Sequence, residues 1–395
     1  MSTQNFRYND INMRTILKPF AFFVGVVTIA TILLIGYDYY QNISNDSGSE
    51  KSQQEADNYS EISPTPLERL STSAWIPYWD YDRGLQTLKD NPGQFDSILP
   101  VIYELNENGS LKMTKGRTWE PLQEYSEEND IEFIASIAMF DHELFTPVMQ
   151  DKENFDRHID AIITEVEEND FDGIDLDYES TKLDDEEQYR EFVAELSTKL
   201  QTRDKKLIVT VLPKWLPDFI YPNLNETRSV QDWQFLGRHA DEVRIMAYDY
   251  TSQQSAKPGP VAPIDWVEMI LKKAIKEIPH EKIVLGLNNY GYNWAASDIN
   301  PETSFLNNPA TGEIKADAYT YDQIQEIKEK YGGDGEESIY EPWQEVVLRY
   351  KREGNDRVLV YPTAETAQAR IELAGEYGIK GFSYWRLGGD SEFEY

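Results

Sequence analysis

The sequence predicts an α/β protein whose main domain is a (β/α)8 barrel, or TIM barrel, preceded by an N-terminal membrane-spanning helix and a linker. Short β-branched or aromatic runs alternate with helical patterns along most of the chain. Several of these runs are almost continuously apolar, as is typical of parallel strands that helices cover on both faces. The 395 residues, 40% of them hydrophobic, are enough for one large core.

Eight strands are expected within the domain that we place at residues 68–395. They are the segments 74–79, 97–103, 132–140, 171–179, 207–213, 243–250, 283–290 and 380–385. Between them, apolar residues recur at helical spacing, and Asp265 is expected to cap one of the helices. An open, doubly wound sheet is the alternative fold, but no glycine-rich phosphate turn follows the first strand.

The connection between the seventh and eighth strands is too long for a simple crossover. Residues 291–363 contain patterns of their own, such as 319-YTYDQIQEIKEKYGG-333 and 338-SIYEPWQEVVLRY-350. We therefore predict a small α+β insertion at about 291–363, standing beside the mouth of the barrel.

The N-terminal part has the pattern of a membrane-targeting segment. Residues 1–18 are basic, and the uncharged run 20-FAFFVGVVTIATILLIG-36 would be roughly 26 Å long as a helix. We predict a cytoplasmic segment at 1–18, a transmembrane signal-anchor at 19–40 and a flexible polar linker at 41–67. The charge distribution predicts a single-pass membrane protein whose barrel lies outside the cell. If the segment is cleaved, the protein would be secreted.

The composition excludes several classes of protein. A net charge of −34 argues against a nucleic-acid partner, because phosphate binding requires basic surfaces. The absence of cysteine excludes disulfides, cysteine-based zinc sites and thiol nucleophiles. The four histidines are scattered without metal-ligand spacing. We expect no cofactor. We expect a monomer.

The most informative stretch is 171-FDGIDLDYES-180, which lies in the fourth predicted strand. Because side chains alternate along a strand, Asp175, Asp177 and Glu179 share one face, directed into the barrel. Asp172 falls on the other face and is expected to support the strand. The carboxylates advance in steps of roughly 6.6 Å towards the C-terminal mouth, where barrel enzymes place their chemistry.

Carboxyl groups crowded into a partly dry site cannot all ionise, so at least one pKa should be raised. Glu179, the last in the row, is the candidate proton donor. A solvated acidic strand edge and a D-x-D site for a hard cation are the alternatives. The apolar opposite face and the position inside a barrel oppose the first alternative.

The segment D-G-I-D-L-D-Y-E matches the D-x-x-D-x-D-x-E signature that the chitinase-like barrels of glycoside hydrolase family 18 carry on their fourth strand. The stretches 75-WIPYW-79, 246-MAYD-249 and 384-YW-385 also resemble family motifs, and the resemblance spans roughly residues 70–390. The third strand departs from the pattern, since 136-SIAMF-140 keeps the serine of S-x-G-G but lacks both glycines. The layout resembles bacterial spore-cortex and cell-wall lytic members.

This resemblance implies a retaining, substrate-assisted mechanism, in which the 2-acetamido carbonyl of the sugar attacks the anomeric carbon. Glu179 would protonate the leaving oxygen and later activate water. Asp177 would orient the acetamide N–H, and Asp175 would share a proton with Asp177. Tyr248 would donate a hydrogen bond to the acetamido oxygen.

Other residues are implied to bind the sugar. Asp249 would contact hydroxyl groups near the cleavage point, and Met246 would face the substrate in the same motif. Trp385 would form the apolar floor under the distorted ring, and Tyr78 and Trp79 would offer a further platform. Additional candidates for subsites are Tyr103, Glu104, Trp215 and Trp294.

The expected function is therefore hydrolysis of β-1,4-linked N-acetylglucosamine-containing polysaccharides, such as chitin, chito-oligosaccharides or peptidoglycan. An inactive, lectin-like protein on the same barrel is one alternative, although such proteins commonly lose the terminal Glu or its partner Asp. A two-carboxylate retaining glycosidase is another, and it needs a second acid about 5 Å from Glu179.

Overall fold

A computed structural model describes residues 69–114, 118–299, 308 and 310–395. Its strands are β1 (Ser71–Ile76), β2 (Ser97–Leu105), β3 (Leu111–Met113), β4 (Glu132–Met139), β5 (Gly173–Tyr178), β6 (Lys206–Val211), β7 (Glu242–Ile245), β8 (Ile283–Asn288), β9 (Tyr290–Trp294), β10 (Ala316–Thr320), β11 (Glu336–Tyr340), β12 (Glu345–Arg352), β13 (Asn355–Tyr361) and β14 (Gly381–Trp385).

Eight of these strands form a closed parallel barrel in the order β1, β2, β4, β5, β6, β7, β8 and β14, and β14 pairs again with β1. The short strand β3 pairs antiparallel with β2 outside this ring. The predicted barrel is confirmed, and its strands correspond one by one to the eight expected segments.

The helices lie between the strands. They are α1 (Tyr81–Asp90), α2 (Glu120–Glu128), α3 (His142–Gln150), α4 (Lys152–Glu168), α5 (Glu186–Gln201), α6 (Tyr221–Leu224), α7 (Glu226–Val230), α8 (Trp233–His239), α9 (Ile264–Glu277), α10 (Tyr321–Tyr331) and α11 (Ala364–Glu376). No helix in the described ranges is both long and apolar enough to cross a membrane. The predicted cytoplasmic segment, anchor and linker (residues 1–67) lie outside the described residues.

The predicted alternation of β5 is confirmed. Leu176 and Tyr178 belong to the core between barrel and helices, where the Tyr178 ring stacks on Phe192 of α5 with ring centroids 6.0 Å apart. Asp172 precedes the strand, and its Oδ2 accepts a hydrogen bond from the Phe133 N–H at 2.8 Å. This bond joins β5 to β4 at the N-terminal end of the barrel, which is the supporting role expected for Asp172.

A buried ion pair fills the N-terminal end of the barrel interior. The guanidinium of Arg244 donates to Glu242 at 2.7 Å and to Ser383 at 3.1 Å. Burial by itself would raise the pKa of Glu242, but the charges of Arg244 and Lys380 bring it to about 2. Polar side chains thus occupy this end of the bore, and the open cavity lies at the other end.

The insertion before the last barrel strand is an antiparallel sheet in the order β10-β9-β13-β12-β11, accompanied by α10. It spans Tyr290–Tyr361, close to the predicted range. The buried carboxylate of Glu345 accepts hydrogen bonds from the N–H groups of Val261 and Ala262, at 2.9 and 3.1 Å. These bonds attach the insertion to the loop that follows β7.

Several local predictions are wrong. The first strand ends at Ile76, because Pro77 has no N–H for the ladder and a 3-10 turn, Tyr78–Asp80, follows it. The sixth barrel strand, β7, ends at Ile245 and not near residue 250. Asp265 is not a cap, since α9 begins at Ile264 after Pro263, and its carboxylate lies in the first turn.

Candidate active site

A cavity of about 630 Å³ opens at the C-terminal end of the barrel strands. Aromatic side chains form much of its wall, and the insertion closes one side with residues of β10 and α10. The aromatic lining comprises Trp75, Trp79, Phe140, Trp215, Tyr248, Tyr250, Trp266, Tyr290, Tyr292, Tyr319 and Trp385. Three carboxyl groups, Asp177, Glu179 and Asp249, lie among these rings. Such a lining suits a sugar chain, whose rings have apolar faces and polar edges.

Most of the predicted site residues come together at this cavity. Asp177, Glu179, Met246, Tyr248, Asp249, Trp79 and Trp385 all line it. Tyr78 does not line this cavity, and its role as a sugar platform stays a prediction. Its ring meets that of Trp79 edge-on, with centroids 4.8 Å apart, and packs against the hydrophobic core. Neighbouring residues of a 3-10 turn point in different directions, so only Trp79 faces the cavity.

Asp175 is buried in the barrel directly below the cavity. Its carboxylate accepts hydrogen bonds from Trp75 Nε1 at 3.1 Å and from the Ser136 and Thr210 hydroxyls, each at 2.7 Å. Burial raises the pKa of Asp175, and these hydrogen bonds oppose the shift. Three strands thus hold Asp175 in one orientation. Proton sharing with Asp177 stays a prediction.

Asp177 lies one step higher in the row and is also buried, with 5% of its surface exposed. Its Oδ1 has no hydrogen-bond partner among the described residues. Burial raises the pKa of Asp177 well above its ordinary value, and the charges of Glu179 and Asp175 raise it further. An unpaired buried acceptor is uncommon in folded proteins, and here it belongs to a residue that lines an open cavity.

Glu179 follows β5 at the mouth of the barrel, and its backbone N–H donates to the Met139 carbonyl at 2.9 Å. Burial raises the pKa of Glu179 to about 7, with a further increase from the charge of Asp249 and an opposing effect of Arg228. Near neutral pH the carboxyl group is therefore present in both protonated and ionised forms. A group in this state can act as an acid in one step and as a base in the next.

Asp249 has an uncommon backbone conformation, with φ of 60°. The left-handed region costs a residue other than glycine about 1–3 kcal/mol, and such strain often marks functional positions. Its Oδ1 accepts hydrogen bonds from the hydroxyls of Tyr290 and Tyr292, the latter at 2.7 Å. Two phenols of β9 thus fix this carboxylate at the rim of the cavity.

Tyr248, which precedes Asp249 in the chain, is a hydrogen-bond donor throughout the physiological pH range. Burial raises the pKa of Tyr248 well above 10, and the charges of Asp177 and Glu179 raise it further. The phenol therefore stays protonated beside the acidic row. It can donate to an oxygen that gains negative charge or to a polarised carbonyl.

Trp385 and Trp75 form the floor, with ring centroids 6.2 Å apart. Trp215, a further candidate from the sequence, also lines the cavity. Trp294 and Tyr103 are instead buried in the core, and Glu104 forms an ion pair with Lys112 at 2.7 Å. These three do not belong to the site.

Several residues of the cavity were not found by sequence reasoning. Tyr290, Tyr292 and Tyr319 come from the insertion, and Arg228 comes from α7. Arg228 donates to the Pro213 carbonyl at 2.8 Å, and its guanidinium lies 5.3 Å from the Trp215 ring. The pattern Tyr-Gly-Tyr, which puts two phenols on one face of a strand, is the signal that could have indicated the first two.

Within the part of the chain that the structure describes, no group of three His, Cys, Asp or Glu side chains could hold a metal ion. The described residues of the cavity offer a carboxylic acid with a pKa of about 7, a buried acid, a phenol and an apolar platform.

Comparison with known proteins identifies a family and several relatives. The family model described as glycosyl hydrolases family 18 matches residues 71–390. The chain is 26% identical over 281 residues to the uncharacterized glycosylase YvbX of Bacillus subtilis, covering 71% of this chain and 74% of that protein. It is 24% identical over 251 residues to the cortical fragment-lytic enzyme of Bacillus anthracis, covering 63% of this chain but only 54% of that enzyme.

Solved structures share the fold. A chitinase from Chromobacterium violaceum superposes with a TM-score of 0.70 at 20% identity, covering 81% of this chain and 95% of that one. The spore cortex-lytic enzyme SleL of Bacillus cereus superposes with a TM-score of 0.68 at 21% identity, covering 81% and 71%. The family match extends over most of the chain and includes the complete barrel, the acidic strand and the insertion. The chain therefore belongs to glycosyl hydrolase family 18.

Proposed function

We propose that this protein is a retaining glycosidase that cleaves β-1,4-linked N-acetylglucosamine-containing glycans, such as chitin, chito-oligosaccharides or peptidoglycan. Glu179 carries this proposal, because its pKa of about 7 and its place beside the buried acceptor of Asp177 suit a group that acts as both acid and base. The relatives named as chitinase and cortex-lytic enzymes support the choice of glycan.

In the first step, the protonated carboxyl of Glu179 gives its proton to the glycosidic oxygen as the bond to the anomeric carbon breaks. The carbonyl oxygen of the 2-acetamido group attacks that carbon from the other side and closes an oxazolinium ring. Asp177 Oδ1 accepts a hydrogen bond from the acetamide N–H and balances the positive charge of the ring. The Tyr248 hydroxyl donates to the acetamido oxygen.

In the second step, the Glu179 carboxylate removes a proton from a water molecule, whose oxygen attacks the anomeric carbon. The oxazolinium ring opens, the acetamide is restored and Glu179 is protonated again. Two displacements at one carbon retain the configuration. Trp385 supports the reacting ring from below, Trp79 offers a platform for another sugar unit, and Asp249 binds hydroxyl groups near the cleavage point.

Hydrolysis of a tetramer of N-acetylglucosamine by the purified full-length chain tests this proposal. Proton NMR during the first minutes should show the β-anomer as the first new reducing end. Release of the α-anomer, or equal hydrolysis of a glucose tetramer without acetamido groups, would contradict the substrate-assisted mechanism and favour two protein carboxylates. Binding of the tetramer without any hydrolysis would instead establish the alternative, a lectin-like protein.

The pH dependence of kcat/KM should identify Glu179 as the acid. Activity is expected to fall as the pH rises through about 7, because the proton-donating form is then lost. The Asp249→Asn change removes a negative charge that raises the pKa of Glu179. The alkaline limb of the pH profile, where activity falls, should therefore move to lower pH. The Arg228→Gln change removes an opposing positive charge, so the limb should move to higher pH.

The two shifts in opposite directions distinguish an electrostatic effect on Glu179 from general damage to the site. Asp172→Asn, at the other end of β5, is the matched control and should leave the limb in place. Shifts in the same direction for both variants would show that another group controls the alkaline limb.

The cellular location is a proposal that rests on the N-terminal sequence alone. A basic segment at 1–18 and an apolar run at 20–36 support attachment to the cell membrane with the barrel outside.

A further inference from the structure

Two arginines line the cavity on the side formed by the ends of β1 and β14. Arg83 belongs to α1, Arg386 directly follows β14, and both donate to the carboxylate of Asp80. The Arg83 Nε–Asp80 Oδ1 distance is 2.6 Å. The guanidinium carbon of Arg386 lies 5.7 Å from the Trp79 ring. We call Arg83 and Arg386 the arginine pair.

The arginine pair gives this wall a positive charge. Two guanidinium groups share one carboxylate, so one positive charge is left over, although the chain as a whole has a net charge of −34. The Asp80 side chain is completely buried, whereas 58% of the Arg83 side chain is exposed. The charge that remains is thus accessible from the cavity.

Support of the fold accounts for Arg386 but not for Arg83. Arg386 joins buried Asp80 to the Gly388 carbonyl, which accepts at 3.0 Å, and so holds the final loop against the turn after β1. One arginine is sufficient to neutralise Asp80. Among the described residues, no acceptor binds Nη1 of Arg83 or Nε and Nη2 of Arg386. Donors on both arginines are therefore available to a ligand.

The acids of the reaction lie on another wall. Glu179 follows β5, which is four strands from β14 in the ring and therefore on the opposite side of the barrel. A negative group bound by the arginine pair would stay away from the acidic row. Trp79, with 56% of its surface exposed, lies beside the pair and offers a face on which a sugar ring can stack. The substituents at the edge of such a ring would reach the guanidinium groups.

We infer that the arginine pair binds a carboxylate carried by the sugar unit at Trp79, so that the enzyme favours anionic N-acetylglucosamine glycans over neutral ones. This inference rests on the proposed function and adds the charge of the substrate to it. A planar guanidinium binds a carboxylate with two parallel hydrogen bonds, which a hydroxyl group cannot reproduce. The carboxylate can come from a 3-O-lactyl ether or from oxidation at C6, and both present the same group.

Binding measured on the full-length Glu179→Gln variant tests this inference, because that variant should retain the sugar without cleaving it. Isothermal titration calorimetry would compare four tetrasaccharides. They are the neutral N-acetylglucosamine tetramer, the form with 3-O-lactyl groups on alternate units, the carboxamide of that form, and the tetramer oxidised at C6. We expect at least one acidic form to bind about tenfold more tightly than its neutral counterpart.

Adding Arg83→Gln to the Glu179→Gln variant should reduce the preference for the acidic form to about onefold. Arg83→Lys should keep part of this preference, because lysine retains the charge but not the planar donor geometry. Arg69→Gln is the matched control. Arg69 is also paired with an aspartate and is 57% exposed, but it precedes β1 at the other end of the barrel. The preference should survive this change.

Equal or weaker binding of both acidic forms would overturn the inference, as would a preference that survives Arg83→Gln. Preference for the lactyl form alone, or for the C6 acid alone, would support the site and identify the source of the carboxylate. Hydrolysis of the neutral tetramer by the unmodified chain is measured separately. The glycosidase proposal and the arginine pair can thus fail independently.

Discussion

Replacing Glu179 with Gln is expected to lower the rate of glycan hydrolysis by about a thousandfold, because the residue acts in both steps of the proposed reaction. Glutamine has nearly the same shape but can neither give a proton to the glycosidic oxygen nor take one from water. Binding of a chito-oligosaccharide should persist, since the change leaves the aromatic rings that line the cavity and Asp249 in place. Turnover by reducing-end assay and binding by calorimetry would measure the two properties on the same preparation.

Glu104→Gln is the control for this change. Glu104 is also a partly exposed glutamate near the end of a barrel strand, but it pairs with Lys112 outside the cavity. Its replacement should change the rate by less than about twofold. Full activity of Glu179→Gln would show that another group delivers the proton. Loss of binding together with activity would indicate that the change disturbs the cavity itself.

The sequence was sufficient to predict the barrel, because parallel strands covered on both faces must be apolar and must alternate with helices. Alternation within β5 also predicts that Asp172 lies on a different face from Asp175, Asp177 and Glu179, as the structure confirms. The loss of both glycines in the third strand leaves β4 regular. Its residues from Ile134 to Met139 pair continuously with β5, and Ser136 reaches Asp175.

The site was harder to predict wherever a residue depends on contacts between distant segments. The sequence predicts that Tyr290 ends the seventh barrel strand, whereas β8 stops at Asn288 and Tyr290 begins the insertion sheet. The side-chain amide of Asn289 donates to the Arg386 carbonyl at 3.0 Å. This long-range contact fixes the chain between β8 and β9. The contact of Asn289 produces no periodic pattern in the sequence, and the Tyr-Gly-Tyr spacing does not reveal that both phenols bond to Asp249.

Direction within a turn is a further limit of sequence reasoning. Tyr78 and Trp79 are adjacent aromatic residues, and the sequence makes them equal candidates for a sugar platform. Pro77 predicts only that the strand stops. The 3-10 turn then directs Trp79 into the cavity and Tyr78 against the core. The pairing of Arg83 and Arg386 through Asp80 joins residues about 300 positions apart, and only the closed ring of strands brings them together.

Replacing Asp177 offers the sharpest test of whether the acetamido group of the substrate takes part in the reaction. Its Oδ1 is buried and accepts no hydrogen bond from the described residues. Asp175, one step below, has three side-chain donors, so the difference lies in what each carboxylate faces. A buried acceptor without a partner is costly unless a ligand supplies the donor. The acetamide N–H of the substrate would be that donor.

The Asp177→Asn change should therefore lower kcat/KM for the N-acetylglucosamine tetramer by about a hundredfold, similar to the loss of one preorganised transition-state contact. In the proposed mechanism Asp177 balances a charge that appears only on the oxazolinium ring, so kcat should fall by nearly the same factor and KM should change little. Asp172→Asn, an equal change outside the cavity on the same segment, should preserve both constants. If Asp177→Asn raised KM and left kcat intact, Asp177 would act only in binding the substrate, and the positive intermediate would need another counter-charge.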